Sequence, residues 1–323
     1  MKKIFKLLFT VALVIATLSS CNDDDNTPVQ LNIVQTAQAV PELSILVDAV
    51  VQAGLVNALS ASGPKTVLAP TNDAFTAFLD EKGFSSLSAV PNDVLTQILL
   101  NHVIDGTNYA SSDLAGSSGY ENTMADGPNG TKLSIYFDGT SGVKFNGNAT
   151  VALPDITTSN GIVHVIDKVI DIPTIGTFAT SNPALSTLVS VLQYADSGTP
   201  TVPYVETVLN PLAGPFTVFT PTNAAFSSLL TDDLMVTSLD EVDKATVNSV
   251  LLYHIVDANV QSNQLQSGAV TTLGGDVTAN VSNLTIISGN GSRVSNIVTP
   301  LIDIQAINGV VHVIDKVILP TSL

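Results

Sequence analysis

The sequence predicts an α+β protein made of two copies of one domain, and three observations predict it. A set of motifs occurs twice in the same order. Each set opens on residues with the period of a helix and closes on residues with the composition of strands. The chain is also large and apolar enough for two cores: of 323 residues, 45% are hydrophobic and 12% charged, the balance of a folded globular protein.

The first element stands apart from the repeat. Lys2, Lys3 and Lys6 precede an apolar or small stretch from Leu7 to Leu18, which has the charge and length of a secretory leader and is short for a membrane span. It ends in Leu18, Ser19, Ser20 and Cys21, which resembles a bacterial lipobox. That resemblance implies cleavage before Cys21 and acylation of its thiol. Residues 1–20 are therefore expected to be a signal peptide and 21–30 an acidic lipidated tether carrying Asp23, Asp24 and Asp25. An acidic run in this place resembles the export signal of surface-displayed lipoproteins, which implies the outer membrane and the cell surface. A spacer on the periplasmic face is the alternative. Cys21 is the only cysteine, so no internal disulfide is possible and stability must come from packing.

Removing Lys2, Lys3 and Lys6 with the leader takes the net charge from −17 to −20. Nucleic acid is excluded as a natural partner, because its binding depends on clustered Lys and Arg, and the remaining basic residues are scattered.

The duplication organises the rest. Pro41 opens PELSILVDAV, matched by PALSTLVSVL from Pro183, 142 residues later. Thr66 opens TVLAPTNDAF, matched by TVFTPTNAAF from Thr217, 151 residues later. Leu99 opens LLNHVIDG, matched by LLYHIVDA from Leu251, 152 residues later. Asn160 opens NGIVHVIDKVI, matched by NGVVHVIDKVI from Asn308, 148 residues later. Units of this size are whole domains, here 31–172 and 173–323. The largest insertion, nine residues in the second copy before Pro221, contains Gly198, Pro200, Pro203 and Pro211 and predicts an irregular surface loop.

Within each copy, Leu43, Leu46, Val47, Val50 and their counterparts Leu185, Leu188, Val189, Leu192 have the spacing of a helix with one buried stripe. Asn182 before Pro183 suits an N-cap and first turn. Thr66 to Ala69 and Thr217 to Thr220 are β-rich, and Asn72 and Asn223 are expected to cap the helices bearing Phe75 and Phe226. Lys132 to Phe137, Val143 to Phe145 and Leu284 to Ile287 mix β-formers with Gly and Asn turns, as antiparallel strands do.

The three duplicated motifs, TVFAPTN-like, Tyr-His and NGVVHVID, resemble those of fasciclin-like domains over nearly all of the chain after about Leu31. The resemblance implies two tandem domains, each a β-sandwich wedge with flanking helices. It also implies adhesion or matrix-like binding to an extracellular or cell-surface protein, with no common chemistry. In animal members a Pro-Asp-Ile segment binds integrins, and Pro154, Asp155 and Ile156 occupy its place here. In the second copy Asp303 and Ile304 align with it but Ile302 replaces the proline, and Leu153 and Leu301 stand where the family motif has an acidic residue. The partner-binding candidates are thus Asp155, Ile156, Asp303 and Ile304; the alternative is that the isoleucines are core and the aspartates face solvent or end a turn. The family's Tyr-His pair is intact as Tyr253 and His254, a further candidate contact, whereas Asn101 precedes His102.

All four histidines fall inside repeated blocks without HxxxH or HExxH spacing, so they are expected to satisfy buried polar groups and not to bind metal. The sequence has no GxSxG, P-loop or GxGxxG motif, which argues against an enzyme and names no cofactor. Two other functions stay open: a glycan- or nutrient-binding surface lipoprotein, which the absence of Trp disfavours, and a structural spacer.

Overall fold

The computed structural model describes residues 30–197, 202–289, 291 and 293–320. The expected leader, Cys21 and nearly all of the tether lie outside them, as do Gly198 and Pro200.

In the first copy, helices Ile33–Gln38, Ser44–Gln52, Val56–Ser60, Asn72–Lys82 and Asn92–Leu100 pack on a sheet of seven strands. These are β1 (Lys65–Pro70), β2 (Val103–Asp105), β3 (Ser118–Asp126), β4 (Lys132–Asp138), β5 (Lys144–Phe145), β6 (Ala149–Thr158) and β7 (Gly161–Ile166), in the order β2-β1-β7-β6-β5-β4-β3. The two repeated blocks meet here, because β1 pairs in parallel with β7. Both faces of β1 are covered, which is why it reads as a continuous apolar run with no alternation. The sheet curls until β2 packs on β3, closing a wedge around Leu68, Ile104, Ile135, Phe145 and Ile166. Val67, Ala69 and Val163 point the other way, into a core shared with Leu46, Phe75, Leu95 and Ile98 of the helices.

The second copy repeats the plan. Its helices are Ile175–Ser181, Ser186–Asp196, Tyr204–Leu209, Asn223–Ser228 and Lys244–Leu252. Its strands are β8 (Phe216–Pro221), β9 (Ile255–Val256), β10 (Gly268–Thr272), β11 (Gly275–Asn280), β12 (Thr285–Ile287), β13 (Val294–Asn296), β14 (Ile304–Ala306) and β15 (Gly309–Ile314). They form two sheets, β10-β11-β12-β13 and β14-β15-β8-β9, joined by a bridge between Ile297 and Ile314. The region expected to be an irregular loop contains an ordered helix, because Pro203 starts Tyr204–Leu209 and Tyr204 is buried against its neighbours.

Repeated residues do repeated work. Asn160 Oδ1 accepts from Ile33 N (2.9 Å) while its Nδ2 donates to Leu59 O (2.8 Å) and Ala61 O (2.7 Å). Asn308 does the same with Ile175 N (2.8 Å), Val208 O (3.0 Å) and Asn210 O (3.1 Å). Each asparagine thereby satisfies the free N–H at one helix start and the free carbonyls at another helix end. The glycine after it is required by space: a Cβ on Gly161 would lie 2.2 Å from Lys65 O, and one on Gly309 would lie 2.2 Å from Phe216 O.

The expected caps are corrected by one residue. Thr71 and Thr222 cap the helices, each accepting from the backbone N–H three positions on, at Ala74 and Ala225 (3.2 Å each). Asn72 and Asn223 instead reach the start of an earlier helix, Ser44–Gln52 and Ser186–Asp196. Asn72 accepts from Ile45 N and donates to Pro41 O, and Asn223 accepts from Thr187 N and donates to Pro183 O. Asn182 does cap its turn, accepting from Ala184 N (3.0 Å).

Candidate functional site

The Asp-Ile segment of the first copy sits where β6 departs from regular pairing. Leu153 faces Val165 and Ile156 faces Val163, so one extra residue bulges out between them. Pro154 has no N–H to lose there, and Asp155 takes the left-handed conformation (φ 63°), which Asp tolerates better than most residues. The bulge is braced from beneath. Asp155 N donates to His164 Nδ1 (3.2 Å), and its carboxylate accepts from Ser111 N (2.7 Å) and Ser111 Oγ (2.5 Å). The Ser111 hydroxyl bond holds the Asp155 carboxyl below its usual range. His164, buried, completes the brace by donating from Nε2 to Tyr109 O (2.8 Å).

The second copy reproduces this clasp: Asp303 (φ 58°) accepts from Ser262 N (2.6 Å) and Oγ (2.5 Å), and its N donates to His312 Nδ1 (3.2 Å). His312 Nε2 donates to Val260 O (3.0 Å). The serines were not singled out from the sequence. A signal was present, since Asn108-x-x-Ser111 recurs as Asn259-x-x-Ser262.

The surroundings of the two clasps differ. In the first copy Ala152 to Asp155 are exposed, Leu153 at 44%, and Ile156 is half-buried against the helical core. In the second copy Leu301 to Asp303 are half-buried, and the isoleucine after them is closed by the neighbouring domain. Ile304, 2% exposed, clusters with Ala306, Val311, Val313 and Phe178, and this cluster takes in Tyr136 and Tyr120 from the first copy. Tyr120 meets Phe178 edge-on at 5.4 Å and accepts from Asn182 Nδ2 (3.1 Å), while Gln305 N donates to Ser134 Oγ (2.9 Å). Burial pushes the Tyr120 hydroxyl well above its usual range. Ile304 therefore offers no surface to an outside partner, because it is part of the joint between domains.

Tyr253 and His254 are also interior. The Tyr253 ring lies over the Gly274–Gly275 turn in the core between the two sheets, where Cβ atoms on either glycine would collide with it. His254 Nδ1 donates to Val250 O (2.7 Å) and Nε2 accepts from Ile318 N (2.9 Å). His102 makes the matching pair with Ile98 O (2.7 Å) and Ile170 N (2.8 Å). An accepting Nε2 must be unprotonated, so both rings are neutral, and burial holds His102 and His254 down to about 4. Asn101, where the second copy has Tyr253, instead donates to Asp171 O (3.0 Å).

A cleft of about 710 Å³ runs where the copies meet, lined by Asp93, Gln97 and Asp126 of the first, Pro211 and Ile307 of the second, and Ile172. Its described walls carry no aromatic ring. Among the described residues no three His, Cys, Asp or Glu side chains group to hold a metal ion, and no helix is long and apolar enough to cross a membrane.

Curled sheets with a helical layer, repeated in tandem and clasped alike, define a fasciclin domain pair. The chain belongs to the fasciclin domain family, which it matches over residues 41–173 and 183–320. Its fold is that of a FAS1 domain pair from the insect cell adhesion molecule fasciclin I, with a TM-score of 0.52 at 18% identity over 87% of this chain and 98% of that one. Among relatives, a Synechocystis protein is 39% identical over 139 residues, 43% of this chain and 96% of that protein. Human periostin is 25% identical over 307 residues, 91% of this chain and 32% of periostin. The cell surface glycolipoprotein MPB83 of Mycobacterium bovis is 31% identical over 150 residues, 46% of this chain and 61% of that protein.

Proposed function

We propose that this chain is a cell-surface lipoprotein, anchored through Cys21, that binds a protein partner through its fasciclin domains. The observation that carries the reading is the asymmetry of the two clasps: the ridge from Leu153 to Asp155 stands exposed on a braced bulge, while its counterpart, Leu301 to Asp303, is half-buried beside the domain joint. A rigid, exposed apolar residue beside a fixed carboxylate suits protein recognition, since little ordering is needed on binding. Asp155 and Ile156 are the contact residues of the first copy, and Asp303 contributes at most its half-exposed carboxylate. The relatives named for cell adhesion and for the cell surface support the same reading. The aromatic-free cleft gives a sugar no stacking platform.

The test is adhesion of beads coated with the chain to intact cells and to extracellular matrix proteins, comparing wild type with Leu153→Ser. That residue is exposed, so stability should move by no more than about 0.5 kcal/mol. Adhesion should fall severalfold. Unchanged adhesion at unchanged stability would remove the ridge from the contact surface.

A further inference from the structure

The helical layers of the two copies differ in one respect that the joint and the clasps do not explain. In the second copy it encloses an apolar cavity of about 90 Å³, walled by Leu188, Val191, Leu192, Leu229, Val247 and Val250 among others. The same layer of the first copy leaves only about 30 Å³.

Among the aligned core residues Phe78 of the first copy becomes Leu229, Leu95 becomes Val247 and Ile98 becomes Val250, while Ala49 becomes Val191, Val50 becomes Leu192 and Leu68 becomes Phe219, so side-chain volume is moved around the cavity wall and not simply removed. The backbone differs there as well. Helix Asn72–Lys82 of the first copy is continuous, but its counterpart stops at Ser228 and passes into a π-turn, Leu229–Asp233, before the left-handed position that Gly83 (φ 73°) and Met235 (φ 54°) share. Such turns are costly and concentrate at functional sites. Two of the polar side chains in the wall are already bonded: both His254 nitrogens within the fold, and Thr246 Oγ1 to Asp243. On one flank the wall is built from half-buried Leu230, Leu234, Leu239 and Val242, so it reaches the surface there. Apolar cavities of this kind stay dry and accept apolar guests; one of roughly 150 Å³ takes benzene, and this one is smaller.

We propose that the second domain binds the end of an unbranched alkyl chain in this cavity, entering past Leu230 and Leu234 and leaving any polar head at the surface. The chain end lies beside Leu229, Val247 and Val250, where the first copy has the longer Phe78, Leu95 and Ile98.

The proposal is tested by methyl NMR of the full mature chain titrated with 1-decanol and, separately, with diheptanoylphosphatidylcholine below its micelle concentration. Saturable shifts confined to Leu188, Val191, Leu229, Val247 and Val250 are expected, with the methyl groups of the first copy unmoved. Saturation by decanol alone identifies a free alkyl molecule; saturation by the lipid too identifies a membrane acyl chain as a source. Leu229→Phe, which restores the first copy's residue, should weaken binding at least tenfold, and Val250→Ile serves where the larger ring disturbs folding. Absence of saturable shifts in the wild type, or equal binding by a folded filled variant, overturns the proposal.

Discussion

Acidification from pH 7 to pH 5 should destabilise each domain through buried histidines, His102 in the first and His254 in the second, where burial lowers the pKa of His312 as well. The rings of His102 and His254 are neutral in the fold, donating from Nδ1 and accepting at Nε2. Burial lowers both from an ordinary value of 6.5 to about 4. Between those values the unfolded chain binds a proton that the folded chain refuses. Stability is therefore intact above 6.5, declines as the pH falls through that value, and stops declining below about 4. At pH 5 the loss works out at ~2 kcal/mol per histidine. Carboxylates take up protons mainly below this window, so they contribute little to the difference. Relief of the net negative charge acts in the opposite sense, and a matched variant separates the two. The assay is urea unfolding at pH 7 and pH 5 of wild type, His102→Gln and His254→Gln. Each variant starts less stable, yet should lose ~2 kcal/mol less than wild type on acidification. Variants with the pH slope of wild type would refute the neutral, bonded rings.

Asp155→Ala and Asp303→Ala should each cost about 1 kcal/mol in urea unfolding, because a Ser111 or Ser262 N–H and hydroxyl lose their acceptor. This differs from the value near zero that a simply solvent-facing aspartate would give. Thr71→Ala and Thr222→Ala should each cost about 1 kcal/mol as lost helix caps, read from the same unfolding curves. Thr220 Oγ1 is buried without a partner, and the first copy has Ala69 there, so Thr220→Val should raise stability by up to about 1 kcal/mol. Cys21→Ser should move the protein from the membrane fraction to the soluble fraction, since the thiol is the chain's only cysteine.

The duplication carried most of the fold because each repeated block is a structural junction. TVLAP is a strand covered on both faces, NG stitches two helix ends, and the histidines close buried backbone groups; the strand and the bonded histidines were legible in sequence, whereas the stitch, which joins residues about a hundred positions apart, was not. Local patterns failed where a side chain turned away from its own element. Asn72 has the composition of a cap, yet its amide reaches the start of helix Ser44–Gln52, while Thr71, one residue earlier, has the extended backbone a cap needs. The clasp joins Asp155 to Ser111 across the wedge, a pairing of residues far apart in the chain that no local period reports. The domain joint was illegible for a similar reason. Ile156 and Ile304 occupy equivalent strand positions, and only the packing of Tyr120 and Tyr136 makes one half-exposed and the other interior.

The ridge of the first copy is expected to meet the partner and its counterpart is not. A photo-crosslinking residue placed at Leu153 and, separately, at the equivalent Leu301, with capture from intact cells, tests this most directly. A defined partner crosslinked from position 153, with only intramolecular products from position 301, is the result predicted. An equal partner crosslink from both positions, or one from position 301 alone, would contradict it.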